Sequence, residues 1–407
     1  MSRSAGRDAT ASSHTQRRRR RSGVCSLLGA ALLLSTGLTS GAAAADAQST
    51  QWALSAMNAE EMWKVSTGEG VKIAVIDTGV NPDTPALKGQ VLADEVPESL
   101  AHKATEDDEG HGTTMAELIA GTGAGGGLKG LAPGAKVVPY RVAMKAETGP
   151  ESRKFPDLAD VIRAVADSDV KIINMSFGGE FHVPDIEKAI TYAHSKGKLM
   201  ITSAVTNPES KHAVGYPAAY PYVVGVAATD ASGKVINRSE ESNFVDVAAP
   251  GQDLASYCDT VRRSSCDGNE GIDGAAALTS ASAALVWSAH PDWTANQVLG
   301  SIIDTAGRDW EKDDPSTFLG YGLVRPRRVL ENPDFKPGPA DTDPLAREND
   351  RSMFDKSGKP AAESGKPAAE DSSDSNNTTL WVVLGGAAAA LALGGGAFAV
   401  LRSRRSS

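Results

Sequence analysis

Cysteine is scarce: Cys25, Cys258 and Cys266 are the only three in 407 residues. No Cys/His cluster has the spacing of a zinc site, so neither a metal nor another cofactor is expected. Basic charge is also thin outside the two ends. Formal net charge is −10, yet residues 1–45 carry seven Arg against one acid, and three more Arg follow Leu401. The stretch between is left at −19, which repels phosphate backbones and excludes nucleic acid as a partner. A dinucleotide site is absent as well. "GTGAGG" (Gly121 to Gly126) has the right glycines, but it follows a helical pattern rather than a strand, and no acidic residue sits at the required distance in a second strand.

Long apolar runs are confined to the ends. Arg17 to Arg21 form a basic n-region, Leu27 to Leu38 are mostly apolar, and Ala42 to Ala47 offer small residues for cleavage. Residues 1–45 therefore read as a signal peptide, too short in its apolar part to span a bilayer comfortably. Cys25 leaves with it. Cys258 and Cys266, eight apart, then lie in an oxidising compartment, and a local disulfide is expected. At the other end, Leu380 to Leu401 hold 22 uncharged residues. At about 1.5 Å per residue they can cross a hydrocarbon core of roughly 30 Å. Residues 402–407, "RSRRSS", are basic and belong on the cytoplasmic side. The expected location is the cell membrane, single-pass, with the main domain extracytoplasmic.

Between these ends, residues 46–335 are globular in composition and residues 336–379 are rich in Pro, Ser, Asp, Lys and Glu. "SGKPAAE" occurs twice in tandem there, at 357–363 and 364–370, and the segment reads as a disordered polar linker. Within the globular part, β-branched runs at 71–76, 136–142, 171–177, 198–204 and 222–228 predict buried strands. Helical patterns at 157–168 and 185–197 fall between them, the second stopping at Gly197. This alternation predicts an α/β fold, a parallel β-sheet flanked by helices, with any site at the carboxyl ends of the strands.

Two residues stand out at such ends. "VIDTGV" places Asp77 at the close of an apolar strand, and "GHGTTMAELIAG" places His111 at the opening of an apolar-periodic helix between glycines. A carboxylate that fixes a histidine's tautomer and stabilises its protonated form is half of a nucleophile-activating triad. Singly, each fits an ordinary turn or cap; together they are more specific.

With "GLAPGAKVVPYRV", "IINMSFGG" and "VDVAAPG", these blocks resemble, in order, those of the subtilisin-like serine proteases over roughly residues 51–333. The signal peptide, polar linker, single C-terminal span and basic tail further resemble the mycosins, the membrane-anchored subtilases of type VII secretion. The resemblance makes Asp77 the orienting aspartate and His111 the general base. It makes Ser176, Phe177, Gly178 and Gly179 the segment that pairs with a bound peptide as an added strand. Asn207, in "SAVTNPES", stands where the family has an oxyanion-hole amide, although Thr206 and Pro208 flank it and a turn asparagine is the competing account.

The nucleophile is what the sequence most conspicuously lacks. Read back without gaps from "SAHPDW", the family's Gly-Thr-Ser falls on Gly271, Ile272 and Asp273. A rival register puts the serine at Ser280, about two helical turns on and roughly 10 Å from the histidine, too far for proton transfer. A carboxylate that attacks an amide forms an anhydride that reverts easily. Loss of the serine from a subtilisin lowers turnover on the order of 10⁶-fold. Three readings follow: a pseudoprotease that binds an extended peptide or a type VII secretion partner, an active endopeptidase using Ser280 or another serine, and a brace within a membrane complex. If His111 lies between Asp77 and Asp273, both carboxylates raise its pKa.

Overall fold

The computed structural model describes residues 51–144, 150, 152–204, 215–236, 244–257, 265–267 and 271–346. The segment 1–45, Asn207, the Cys258–Cys266 pairing and the apolar run 380–401 lie outside the described residues.

Strands β1 (Lys72–Asp77), β2 (Lys136–Arg141), β3 (Ile172–Met175), β4 (Leu199–Ser203), β5 (Val223–Thr229) and β6 (Val247–Pro250) form one sheet in the order β2-β1-β3-β4-β5-β6. Every pairing in it is parallel. Period-two alternation sends Ile73 and Val75 into one core and Ala74 and Ile76 into another, so both faces are covered. Helices α4 (Leu158–Ala166) and α5 (Pro184–Ser195) cover the second face. Helices α3 (His111–Ala120), α6 (Gly271–Ala289) and α7 (Ala295–Thr305) cover the first. Two short N-terminal helices, α1 (Trp52–Ala56) and α2 (Ala59–Trp63), and α8 (Arg327–Leu330) complete that layer. Strands β7 (Ala255–Tyr257) and β8 (Ser265–Asp267) form a separate antiparallel pair.

The five expected strands are present within a residue or two of their bounds. The sixth was not expected: "VAAP" is short, half alanine and ends in proline. Proline suits its place, because β6 is an edge strand, as is β2 with Pro139. Helix α5 stops where expected, with Gly197 at φ 75°.

Helix α6 has 19 residues, of which 16 are buried. Its sequence is apolar and small all round, which marks a helix enclosed by protein. Its buried hydroxyls are satisfied: Thr279 and Ser282 donate to the carbonyls of Ala275 and Leu278 at 2.9 and 2.7 Å. Among the described residues no helix is long and apolar enough to cross a membrane.

The packed chain runs beyond the expected boundary at residue 335. Thr294 and Asn296 bond the carbonyl of Ala340, Gln297 bonds that of Gly338, and Leu345 is buried in the core. Composition read residues 336–346 as linker because their few apolar side chains are spaced singly among prolines and acids. The backbone carbonyls of Gly338 and Ala340, which composition does not reveal, tie this stretch to the start of α7.

Candidate active site

Strand order reverses around β1: β2 lies on one side of it and β3 on the other. Such a switch point leaves a crevice at the carboxyl ends of the strands. Asp77 ends β1, Ser176 follows β3, and Ser203 ends β4. Two helices start above them, α3 with His111 and α6 with Asp273 as its third residue.

The start of α3 is held by close backbone approach and by a buried acid. Gly110 adopts φ 80°. A Cβ on Gly112 would lie 2.2 Å from the carbonyl oxygen of Gly79 and 3.0 Å from the Cβ of Asp77. The carboxylate of Asp107 accepts from the hydroxyls of Thr78 and Thr113 at 2.8 and 2.6 Å, and from the amides of Gly110 and Thr113, both at 2.8 Å. Thr78 in turn accepts from the Gly112 amide at 2.9 Å. Arg141, at the end of β2, donates to the carbonyl of Glu106 and so fixes the loop that carries Asp107.

The three residues taken for the catalytic positions meet. Nδ1 of His111 lies 2.7 Å from Oδ1 of Asp77, and its Nε2 lies 3.3 Å from Oδ2 of Asp273. Asp77 is fully buried and also accepts from the Thr78 amide at 2.7 Å, while its Oδ2 has no partner among the described residues. The side chains of His111 and Asp273 are 19% and 25% exposed, so the open end of the row faces solvent at Asp273. Burial lowers the imidazole pKa, but the Asp77 charge and the hydrogen bonds to Asp273 and Asp77 outweigh it. The result lies well above the ordinary 6.5. The raised pKa favours the protonated ring, the direction expected of an imidazole between two carboxylates. When the ring is protonated, both of its nitrogens donate, one to each carboxylate.

No side-chain hydroxyl bonds His111 among the described residues. Ser280 is fully buried and donates to Oδ1 of Asn174 at 2.8 Å. Nδ2 of Asn174 donates to Ser176 at 2.9 Å, and Ser176 donates to the backbone carbonyl of Asp273 at 3.1 Å. Ser280 thus ends a chain of contacts that fixes the start of its own helix.

The expected peptide strand is partly engaged already. The side chain of Ser176 points inward, and Gly179 exchanges two 2.7 Å backbone bonds with Tyr216. Thr202 donates to the Phe177 carbonyl at 3.2 Å, so Gly178, exposed, is the freest backbone of the four. Asp107 and Ser203 escaped the sequence reading. For Asp107 a signal existed: an acid just ahead of an apolar-periodic helix is a helix-start mark. The acid run at 106–109 hid it.

A doubly covered parallel sheet with a buried Asp–His pair at its switch point, the acid preceding the base in the chain, defines the scaffold of a triad hydrolase. Residues 68–322 match the Subtilase family, and the chain belongs to it. Thermitase of Thermoactinomyces vulgaris is 30% identical over 273 residues, covering 65% of this chain and 93% of thermitase. Fervidolysin of Fervidobacterium pennivorans is 30% identical over 313 residues, and the chain spans 44% of its length. Among solved structures, the MycP3 protease from the type VII (ESX-3) secretion system superposes with a TM-score of 0.57 at 26% identity, covering 68% of this chain and 87% of that one. MycP1 from Mycobacterium smegmatis gives 0.56 at 25% identity, covering 72% and 86%.

Proposed function

We propose that this chain is a subtilase of the mycosin kind that binds an extended peptide, or an extended segment of a secretion partner, in its cleft and does not cleave it. One observation carries the reading. The residue offered to Nε2 of His111 is the carboxylate of Asp273, at 3.3 Å, where attack on an amide needs a hydroxyl. A protonated imidazole flanked by two acids cannot accept a proton from an incoming nucleophile. The burial of Ser280 and its bond to Asn174 speak against its use as an alternative nucleophile. The brace reading remains a second account of the same chain, separable by the state of the cleft.

The layout proposed around the domain is a signal peptide at 1–45, a polar linker from about 347 to 379, and a membrane span at 380–401. A cytoplasmic tail follows at 402–407. The proposed setting is the outer face of a cell membrane, beside a type VII apparatus.

Fluorophosphonate labelling of the full chain tests the central claim. The wild-type chain stays unlabelled, whereas Asp273→Ser restores a hydroxyl beside His111 and becomes labelled at residue 273. Labelling of any serine in the wild-type chain, mapped by mass spectrometry, overturns the reading. Gly178→Pro removes a backbone donor from the freest part of the peptide strand and is expected to abolish peptide binding. If partner binding survives that change, the cleft is idle and the brace account is favoured.

A further inference from the structure

Ser203 has no part in the triad, and family membership gives it no role. It is the last residue of β4 and is only 1% exposed. Its hydroxyl donates to Oδ1 of Asp273 at 2.5 Å, a short charge-assisted contact, while Oδ2 of the same carboxylate faces His111. Asp273 sits on the first turn of α6, and a free aspartate at that exposure samples several side-chain orientations. Tying one oxygen to a buried strand removes that freedom. The carboxylate plane is fixed, and the second oxygen has one direction left, toward the imidazole. The backbone is pinned separately, by Ser176.

We propose that Ser203 is a positioning residue whose hydroxyl locks the Asp273 carboxylate against His111, so that Asp77, His111 and Asp273 act as one ion-paired unit. Among the described residues the polar contacts of the imidazole are Asp77 from β1 and Asp273 from α6; Asp107, from the loop before α3, bonds Thr78 and not the ring. The proposal stands on this geometry and holds whether or not the cleft binds a peptide.

The test is an NMR titration of His111 in the full chain carrying labelled histidine, compared with Ser203→Ala, Ser203→Thr and Asp273→Asn. If the hydroxyl positions the carboxylate, Ser203→Ala releases it to solvent and the imidazole loses about tenfold in proton affinity, a fall of about one pKa unit. Ser203→Thr keeps the donor and the wild-type titration. Asp273→Asn falls at least as far as Ser203→Ala. A merely structural serine lowers the melting temperature and leaves the imidazole titration in place. A hydroxyl that only competes with the imidazole for the carboxylate gives the opposite sign, a rise. Either result overturns the assignment. Should Ser203→Ala fail to fold, Ser203→Cys keeps the side-chain shape, slightly enlarged, with a weaker donor. It is expected to lower the imidazole pKa part of the way, and an unchanged titration there overturns the proposal equally.

Discussion

Two helix starts meet at one imidazole, and they are built by different means. The start of α3 is clamped by backbone: Gly110 in the left-handed region, Gly112 with no room for a side chain, and amides converging on the buried Asp107. The start of α6 is held by hydroxyls, Ser203 on the carboxylate of Asp273 and Ser176 on its carbonyl. The clamped start orients the histidine and is indifferent to what lies beyond Nε2. The hydroxyl-held start decides what the histidine meets. A site can thus change its chemistry at one start while the other keeps its geometry.

The largest effect expected from this contrast is on a pair of glycines. Gly112→Ala would press a methyl against a carbonyl oxygen 2.2 Å away, in backbone that also carries Asp77. Overpacking of this kind costs about 3 kcal/mol or more. Gly274→Ala, in the first turns of α6, meets the Cδ1 atoms of Leu254 and Leu118 at 2.5 and 3.4 Å, the far ends of side chains that can turn aside. Alanine also gains about 1 kcal/mol over glycine in a helix, so the net change should be small. Denaturant midpoints of the two variants measure the difference. Equal losses would mean that both starts are clamped alike.

Next comes Asp107→Ala. It removes an acceptor shared by the Thr78 and Thr113 hydroxyls and by the amides of Gly110 and Thr113, residues that are all buried. Leaving several buried donors unpaired is expected to cost about 2–4 kcal/mol. The same truncation on the other side, Ser176→Ala, loses one link of a chain and should cost about 1 kcal/mol. Urea unfolding of both variants ranks them, and a loss for Ser176→Ala as large as for Asp107→Ala would put the clamp on the wrong helix.

This ranking also explains what the sequence could tell. Strands β1 to β5 were legible because buried parallel strands are runs of β-branched residues. The Asp77–His111 pair was legible because each residue sits at a punctuation mark, a strand end or a glycine-flanked helix start. Asp273 was legible through gapless spacing alone. What hid were contacts between residues far apart in the chain. Ser203 and Asp273 are 70 positions apart, and nothing in "KLMITSA" marks its serine as a partner for an acid. Ser280 is a candidate nucleophile in the sequence because a rival register of the family's Gly-Thr-Ser falls on it. Its purpose is the bond to Asn174. Strand β6 hid because alanine and proline carry no β signal, and its edge position is a property of the whole sheet.

A third expected effect is in the pH dependence of stability. The folded pKa of His111 lies above its unfolded value, so its contribution is fully present below the unfolded value near 6.5. It is lost as pH rises through the raised folded value. The wild-type chain should therefore lose stability on the alkaline side of neutrality, and His111→Gln should flatten that limb. Thermal melts from pH 6 upward check it. A stability difference between the wild type and His111→Gln that grows as pH rises across this range would mean that protonation of the imidazole does not stabilise the folded chain.

The smallest effect expected is at Ser280. Ser280→Ala removes one hydroxyl from a buried amide, and Asn174 keeps its bond to Ser176. A single neutral hydrogen bond of this kind contributes about 1 kcal/mol. The alanine fits a helix already lined with alanines, so no cavity larger than the lost oxygen remains. Because Asn174 still holds Ser176, the start of α6 should stay in place and the His111 titration should match the wild type within error. This is the sharpest way to separate the two serines of the α6 side. Ser203 bonds the carboxylate itself, and its loss is expected to move the imidazole. Ser280 acts through two intermediaries on the backbone, and its loss should move only the melting temperature. If Ser280→Ala shifts the imidazole as far as Ser203→Ala does, the Ser280–Asn174–Ser176 chain orients Asp273 as strongly as the direct hydroxyl does. Both helix starts would then have to be treated as one rigid frame.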